Sequence, residues 1–238
     1  MTHYKRNLMM TTVALASAIV LSTGMPAALA QPQHNSAPPR ATVLTAQNSK
    51  NVRLLAAAEP FEGLTEQSFS AKPKDLDRMV RNAHKAADRV TGILPAQDQS
   101  ALTQELQKIG DAKGKNDRSG LALSAVEAYR ILVSATHGTK VPTEVSLLDY
   151  SGFRYDADLK TNPVRWTDMQ DAAGFAAKQW QSISERVSDA GLKQRVSDAL
   201  RDMETAASGK SAANAHAAAN AELDLVDTLE AYFTRAKA

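Results

Sequence analysis

Apolar residues return every three or four positions along most of this chain, the spacing that places them on one face of an α-helix. The clearest run comprises Leu76, Val80, Ala83, Ala87, Val90 and Leu94, and Pro95 ends it. The same spacing predicts further helices over 102–109, 121–136, 142–160, 167–187, 192–203 and 212–237. No segment alternates apolar and polar residues as a half-buried strand does. The pattern therefore predicts an all-α protein.

Breaks in this pattern separate the predicted helices. Residues 110–120 are charged and contain glycine, which predicts a loop, and Asn162-Pro163 and Ser208-Gly209 interrupt the chain again. Many positions on the apolar faces are alanine, which favours close approach of neighbouring helices. We predict an antiparallel helical bundle of about four main helices with shorter accessory ones.

The first thirty residues have the order of regions found in a secretory signal peptide. Lys5 and Arg6 precede an apolar stretch from Leu8 to Leu21, and Ala28-Leu29-Ala30 supplies small residues before a cleavage site. An uncleaved membrane anchor would need roughly 20 apolar residues, and this stretch is shorter. We predict a signal peptide over 1–30, a periplasmic or secreted protein, and no membrane insertion after cleavage.

Residues 31–72 are rich in Gln, Asn, Ser, Pro and Ala and show no sustained period. Such a composition favours a disordered lead or linker, although Val52 to Ala58 could add a helical turn or two against the domain. The helical-bundle domain is then predicted to span 73–238.

The net charge excludes one class of partner. Removing residues 1–30 lowers the number of basic residues from 28 to 26, against 26 acidic residues, so the mature chain is formally neutral. A nucleic-acid-binding protein needs a basic surplus to displace counterions. We therefore predict no nucleic-acid partner, and a polybasic membrane-binding patch has no support in the composition.

The chain has no cysteine. Disulfides, thiolate zinc sites, iron–sulfur clusters, covalent haem and a lipid anchor on cysteine are therefore excluded. The cofactor, if there is one, remains unassigned by the sequence, and a divalent metal held by oxygen and nitrogen ligands stays open.

Catalytic motifs are missing from the sequence. Gly110 to Asn116 resembles a phosphate-binding loop superficially, but it is one residue short between its glycines and follows no strand. Gly-x-Ser-x-Gly, Ser-x-x-Lys and His-Glu-x-x-His do not occur. The sequence thus leans against an enzyme.

Glu127 is the first candidate site residue, because it lies on the apolar row Leu123–Glu127–Ile131. A carboxylate at such a position must find a partner or raise its pKa. It is predicted either to be a metal ligand or proton-handling group, or to form an ion pair with Arg130 or Arg154, or to join Ser124 in a capping box.

Asp149 and Tyr150 open the densest aromatic segment of an aromatic-poor chain, and Tyr129 follows Glu127 closely. Gly152 in the same predicted helix suggests close contact with another backbone or a bound group. Tyr150 and Tyr129 are candidates for a binding surface, and the alternative is a position in the bundle core with the hydroxyl bonded to a neighbouring carboxylate.

The last predicted helix carries Glu222 and Asp227 beside its apolar stripe, and His84 lies near the stripe of the first predicted helix. Carboxylates gathered from several helices suit a hard or borderline cation, so Glu127, Asp149, Glu222, Asp227 and His84 are the candidate metal ligands. Solvated helix boundaries are the alternative.

Two functions follow from these residues. The first is an exported binding or accessory protein that holds a metal ion or small ligand through carboxylates and a histidine. The second is a structural or protein–protein interaction module without a ligand. Convergence of the acidic and aromatic residues would favour the first, and pairing of each with Arg or Lys would favour the second.

Overall fold

Eight α-helices make up the part of the chain described by the computed structural model, residues 40–235, whose side chains are described from residue 45 onward. They are α1 Arg40–Gln67, α2 Pro73–Asp88, α3 Ala96–Gly114, α4 Arg118–Ser134, α5 Thr143–Leu159, α6 Trp166–Ile183, α7 Ala190–Ser208 and α8 Ala212–Arg235. Short 3₁₀ turns over Thr91–Ile93 and Ser184–Arg186 follow α2 and α6. No strand occurs within these residues, and the all-α class is confirmed.

Neighbouring helices run antiparallel, as short connections between long helices require. The start of α6 meets the end of α7, where Gln170 donates to Ser208 at 3.0 Å. Farther along the same pair, Trp180 donates to Ser197 at 3.0 Å. Seven of the eight helices correspond to the main and accessory helices predicted from the sequence, and the eighth is α1, because residues 40–67 were predicted as a linker.

The largest difference from the sequence prediction concerns residues 40–67, which form α1 rather than a linker. Leu54, Phe61 and Leu64 of this helix are completely buried, and α1 packs against α2 and α4. The predicted domain start at 73 is therefore wrong. The buried positions do follow helical spacing, but Pro60 and the polar residues around it hid that spacing. The predicted signal peptide and residues 31–39 lie outside the described residues.

The predicted loop over 110–120 is also wrong. Helix α3 continues through Gly114 and α4 begins at Arg118, so only residues 115–117 connect them. Asn116 turns the chain with a φ of 54°, and the side chain of Asp117 caps α4 by accepting from the Gly120 N–H at 2.8 Å. The glycines were misleading because all three of them, Gly110, Gly114 and Gly120, lie within helices.

Two groups of buried apolar side chains form the core, and α5 takes part in both. Helices α1 to α4 surround the first group, to which α5 adds Tyr150 and Phe153. Helices α5 to α8 surround the second, to which α5 adds Val145, Leu148 and Tyr155. Between residues 40 and 235, no helix is both long enough and apolar enough to cross a membrane.

A buried asparagine of α1 forms hydrogen bonds to the connection between α4 and α5. Asn51 is 3% exposed; its Nδ2 donates to the His137 carbonyl at 2.7 Å and its Oδ1 accepts from the His137 N–H at 3.2 Å. We expect Asn51→Ala to lower the free energy of unfolding by about 1–2 kcal/mol, since both bonds are lost. Urea denaturation measures this. Asn48→Ala is the control, because Asn48 is exposed on the same helix. Equal effects of the two substitutions would show that the hydrogen bonds of Asn51 to His137 do not stabilise the fold.

Candidate functional site

A group of polar residues lies where α4, α5 and α8 meet, and we call it the polar seam. Its members are Glu127 and Tyr129 of α4, Asp149, Tyr150 and Arg154 of α5, and Glu222 of α8. Helix α5 contributes three of them because it packs against both α4 and α8. Five of the six were singled out by the sequence as site candidates, and the sequence named Arg154 as an ion-pair partner.

Glu127 is held by three side chains of this chain. Its carboxylate accepts from the Tyr150 hydroxyl at 2.8 Å and from Arg130 Nε at 2.9 Å. Arg154 donates to the same Oε1 atom that Tyr150 contacts. The ion-pair alternative for Glu127 is therefore the one found, with both of the arginines that the sequence suggested.

These contacts set the protonation of Glu127. Burial alone would raise the pKa of Glu127, but the hydrogen bonds from Arg130 and Tyr150 and the charges of Arg130 and Arg154 outweigh it and hold the pKa below its ordinary value. Burial and the adjacent Glu127 charge raise the pKa of Tyr150. Glu127 is thus an anion and Tyr150 a neutral donor at neutral pH.

Arg154 extends the seam toward α6. It donates through Nε to Asp158 at 2.8 Å, and Arg165, just before α6, lies 3.2 Å from the other oxygen of Asp158. Asp158 is completely buried, and burial raises the pKa of its carboxyl against the attraction of the two arginines. Asp168 of α6 joins the group, 3.0 Å from Arg165. The result is a chain of alternating charges that links α4, α5 and α6.

The sequence analysis missed Asp158 and Arg165. Asp158 lies four residues after Arg154, a spacing that favours an ion pair on a helix, and this was the available signal. Arg165 could not have been found from the sequence, because its approach to Asp158 depends on how residues 160–165 turn the chain.

Tyr129 and Asp149 form the second part of the seam. The buried Tyr129 hydroxyl donates to Asp149 at 3.1 Å, and Asp149 is only 2% exposed. Burial, Asp149, and the charges of Glu62 and Glu230 raise the pKa of Tyr129 well above its ordinary value. Acidic residues of α1, α5 and α8 therefore lie around one tyrosine of α4.

Gly152 allows α8 to approach α5 at the seam. A Cβ atom at this position would collide with Oε2 of Glu222 and would lie 2.7 Å from Leu223. Glu222 is 2% exposed. The sequence suggested that Gly152 makes a close contact, and the contact found is with side chains of α8.

The histidine and the last carboxylate of the predicted metal set lie elsewhere. His84 is half-buried on α2, which packs against α1 and α3, whereas Asp227 is half-buried on α8, which packs against α5 and α7. Among residues 40–235, no three or more histidine, aspartate or glutamate side chains are placed to hold a metal ion. The seam brings Asp149, Glu127 and Glu222 to one region without forming such a group.

The protein is therefore an all-α helical bundle. Its two groups of core side chains meet at the polar seam, a network of tyrosines, carboxylates and arginines. The chain matches no protein-family model, no curated protein and no solved structure.

The lowered pKa of Glu127 makes a prediction about acid stability. A carboxyl whose pKa is lower in the folded state stabilises the fold above its unfolded pKa, and that contribution is lost as pH falls through the folded pKa. We expect Glu127→Gln to unfold about 1–3 kcal/mol more easily at neutral pH. The difference should shrink below about pH 4.5, the ordinary value for this carboxyl. Urea denaturation of both proteins between pH 3 and 7, about the range over which carboxyl groups titrate, measures it.

Glu185→Gln is the matched control, because the Glu185 side chain is 91% exposed and pairs with Lys193 on the surface. A difference between wild type and Glu127→Gln that stays constant with pH would contradict the assigned ionisation of Glu127.

Proposed function

We propose that this chain is an exported accessory protein that works as a structural or protein–protein interaction module. The observation that carries the proposal is the pairing of Glu127 with Arg130, Arg154 and Tyr150. Among the residues that the sequence suggested as ligands, Glu127 was the first candidate. Its carboxylate instead binds side chains of α4 and α5 and so holds these two helices together. This use of charge supports a rigid scaffold that acts through its outer surface.

The extent of the network supports the same role. Arg154, Asp158 and Arg165 continue it from α5 to α6, so one set of charges bridges the boundary between the two groups of core side chains. A charged pair inside a fold fixes the relative orientation of the two helices that carry it, because its hydrogen bonds form only in a few geometries. A scaffold that presents a fixed surface to a partner benefits from such a constraint.

A second candidate function is binding of a cationic ligand, and the buried acidic side of the seam favours it. Asp149 and Glu222 are each 2% exposed, and Glu62 and Glu230 act electrostatically on the neighbouring Tyr129. Carboxylate oxygens from several helices are suitable partners for a metal ion or an organic cation.

Elemental analysis separates the two functions. The protein recovered from the extracytoplasmic fraction is compared with Glu222→Gln and with the control Glu185→Gln, whose side chain is exposed outside the seam. The interaction role predicts no stoichiometric metal in any of the three. Stoichiometric metal that is lost only in Glu222→Gln would overturn it in favour of the ligand-binding role.

Cross-linking in intact cells tests the interaction directly. An amine-reactive reagent is expected to join the exported chain to a second protein, and mass spectrometry should place the linked lysines on one face of the bundle. The same mass spectra report the N-terminus, which export and cleavage after Ala30 would place at Gln31. Cross-links only within the chain, or an uncleaved N-terminus, would contradict the proposal.

A further inference from the structure

We draw no further inference here: the strongest candidate, the cluster of carboxylates that Glu62 of α1, Asp149 of α5 and Glu230 of α8 form around Tyr129, belongs to the polar seam already described, and nothing else in residues 40–235 points to a ligand there.

Discussion

Phe61→Ala should lower the free energy of unfolding by about 3–5 kcal/mol, the cost of removing a large aromatic side chain from a packed core. Phe61 is completely buried although it lies in a segment whose composition suggests a linker. The loss is a large fraction of the roughly 5–15 kcal/mol that stabilises a typical protein. For a chain of this size, we expect the thermal midpoint to fall by about 10 °C. Urea denaturation and calorimetry measure the two quantities.

Val52→Ala is the control for Phe61→Ala, because Val52 lies on the same helix with 66% of its surface exposed. Its effect should stay within about 0.5 kcal/mol. If both substitutions changed stability by less than about 1 kcal/mol, α1 would not be part of the cooperative core, and the domain would begin at α2 as the sequence suggested.

Gly152→Ala should destabilise the protein by about 1–3 kcal/mol, the usual cost of overpacking. The added methyl group would collide with the Glu222 carboxylate and with Leu223 of α8. Glu222 is buried, so it cannot simply swing into solvent. Chemical denaturation measures the loss, and separation of α5 from α8 should be visible as faster amide hydrogen exchange in both helices.

Gly110→Ala gives the matched control, since Gly110 lies inside α3 and a Cβ there meets no atom within 4 Å. Alanine at a free helical position usually stabilises by about 0.5–1 kcal/mol. The two substitutions should therefore have opposite signs. A stabilising Gly152→Ala would show that α8 does not approach α5 as closely as the structure has it.

The helix boundaries show how much of the secondary structure the pattern of apolar residues predicts. The boundaries of α4 and α5 were predicted to within about three residues, because both helices carry strongly apolar faces and end at clear breaks. Residues 40–67 were misread because Pro60 and many polar residues dilute the apolar signal. The signal becomes evident only when α4 and α2 are present to bury Leu54, Phe61 and Leu64.

The contacts of the candidate site were likewise predicted only in part. The position of Glu127 on an apolar row predicted that its carboxylate would need partners, and Arg130 and Arg154 were named among them. The pairing of Tyr150 with Glu127, and of Tyr129 with Asp149, could not be predicted because it depends on the register of α5 against α4. His84 was grouped with Asp227 as a candidate metal ligand, but α2 packs against α1 and α3 whereas α8 packs against α5 and α7.

Net charge also gave an incomplete prediction. The composition, formally neutral once residues 1–30 are left out, argued against a basic surface, yet five cations, Lys74, Arg78, Arg81, Lys85 and Arg89, lie exposed along α2. Composition counts charges over the whole chain, whereas a docking surface depends on where the helices place them.

The sequence by itself determined the all-α class, the exclusion of cysteine chemistry and the need of Glu127 for partners, because each depends on residue type or on spacing along one helix. The tertiary structure decided that α1 belongs to the core and that Gly152 lies against Glu222. It also decided which hydroxyl meets which carboxylate. These outcomes depend on contacts between helices far apart in the chain, and the spacing of residues within one helix carries no information about the register of another.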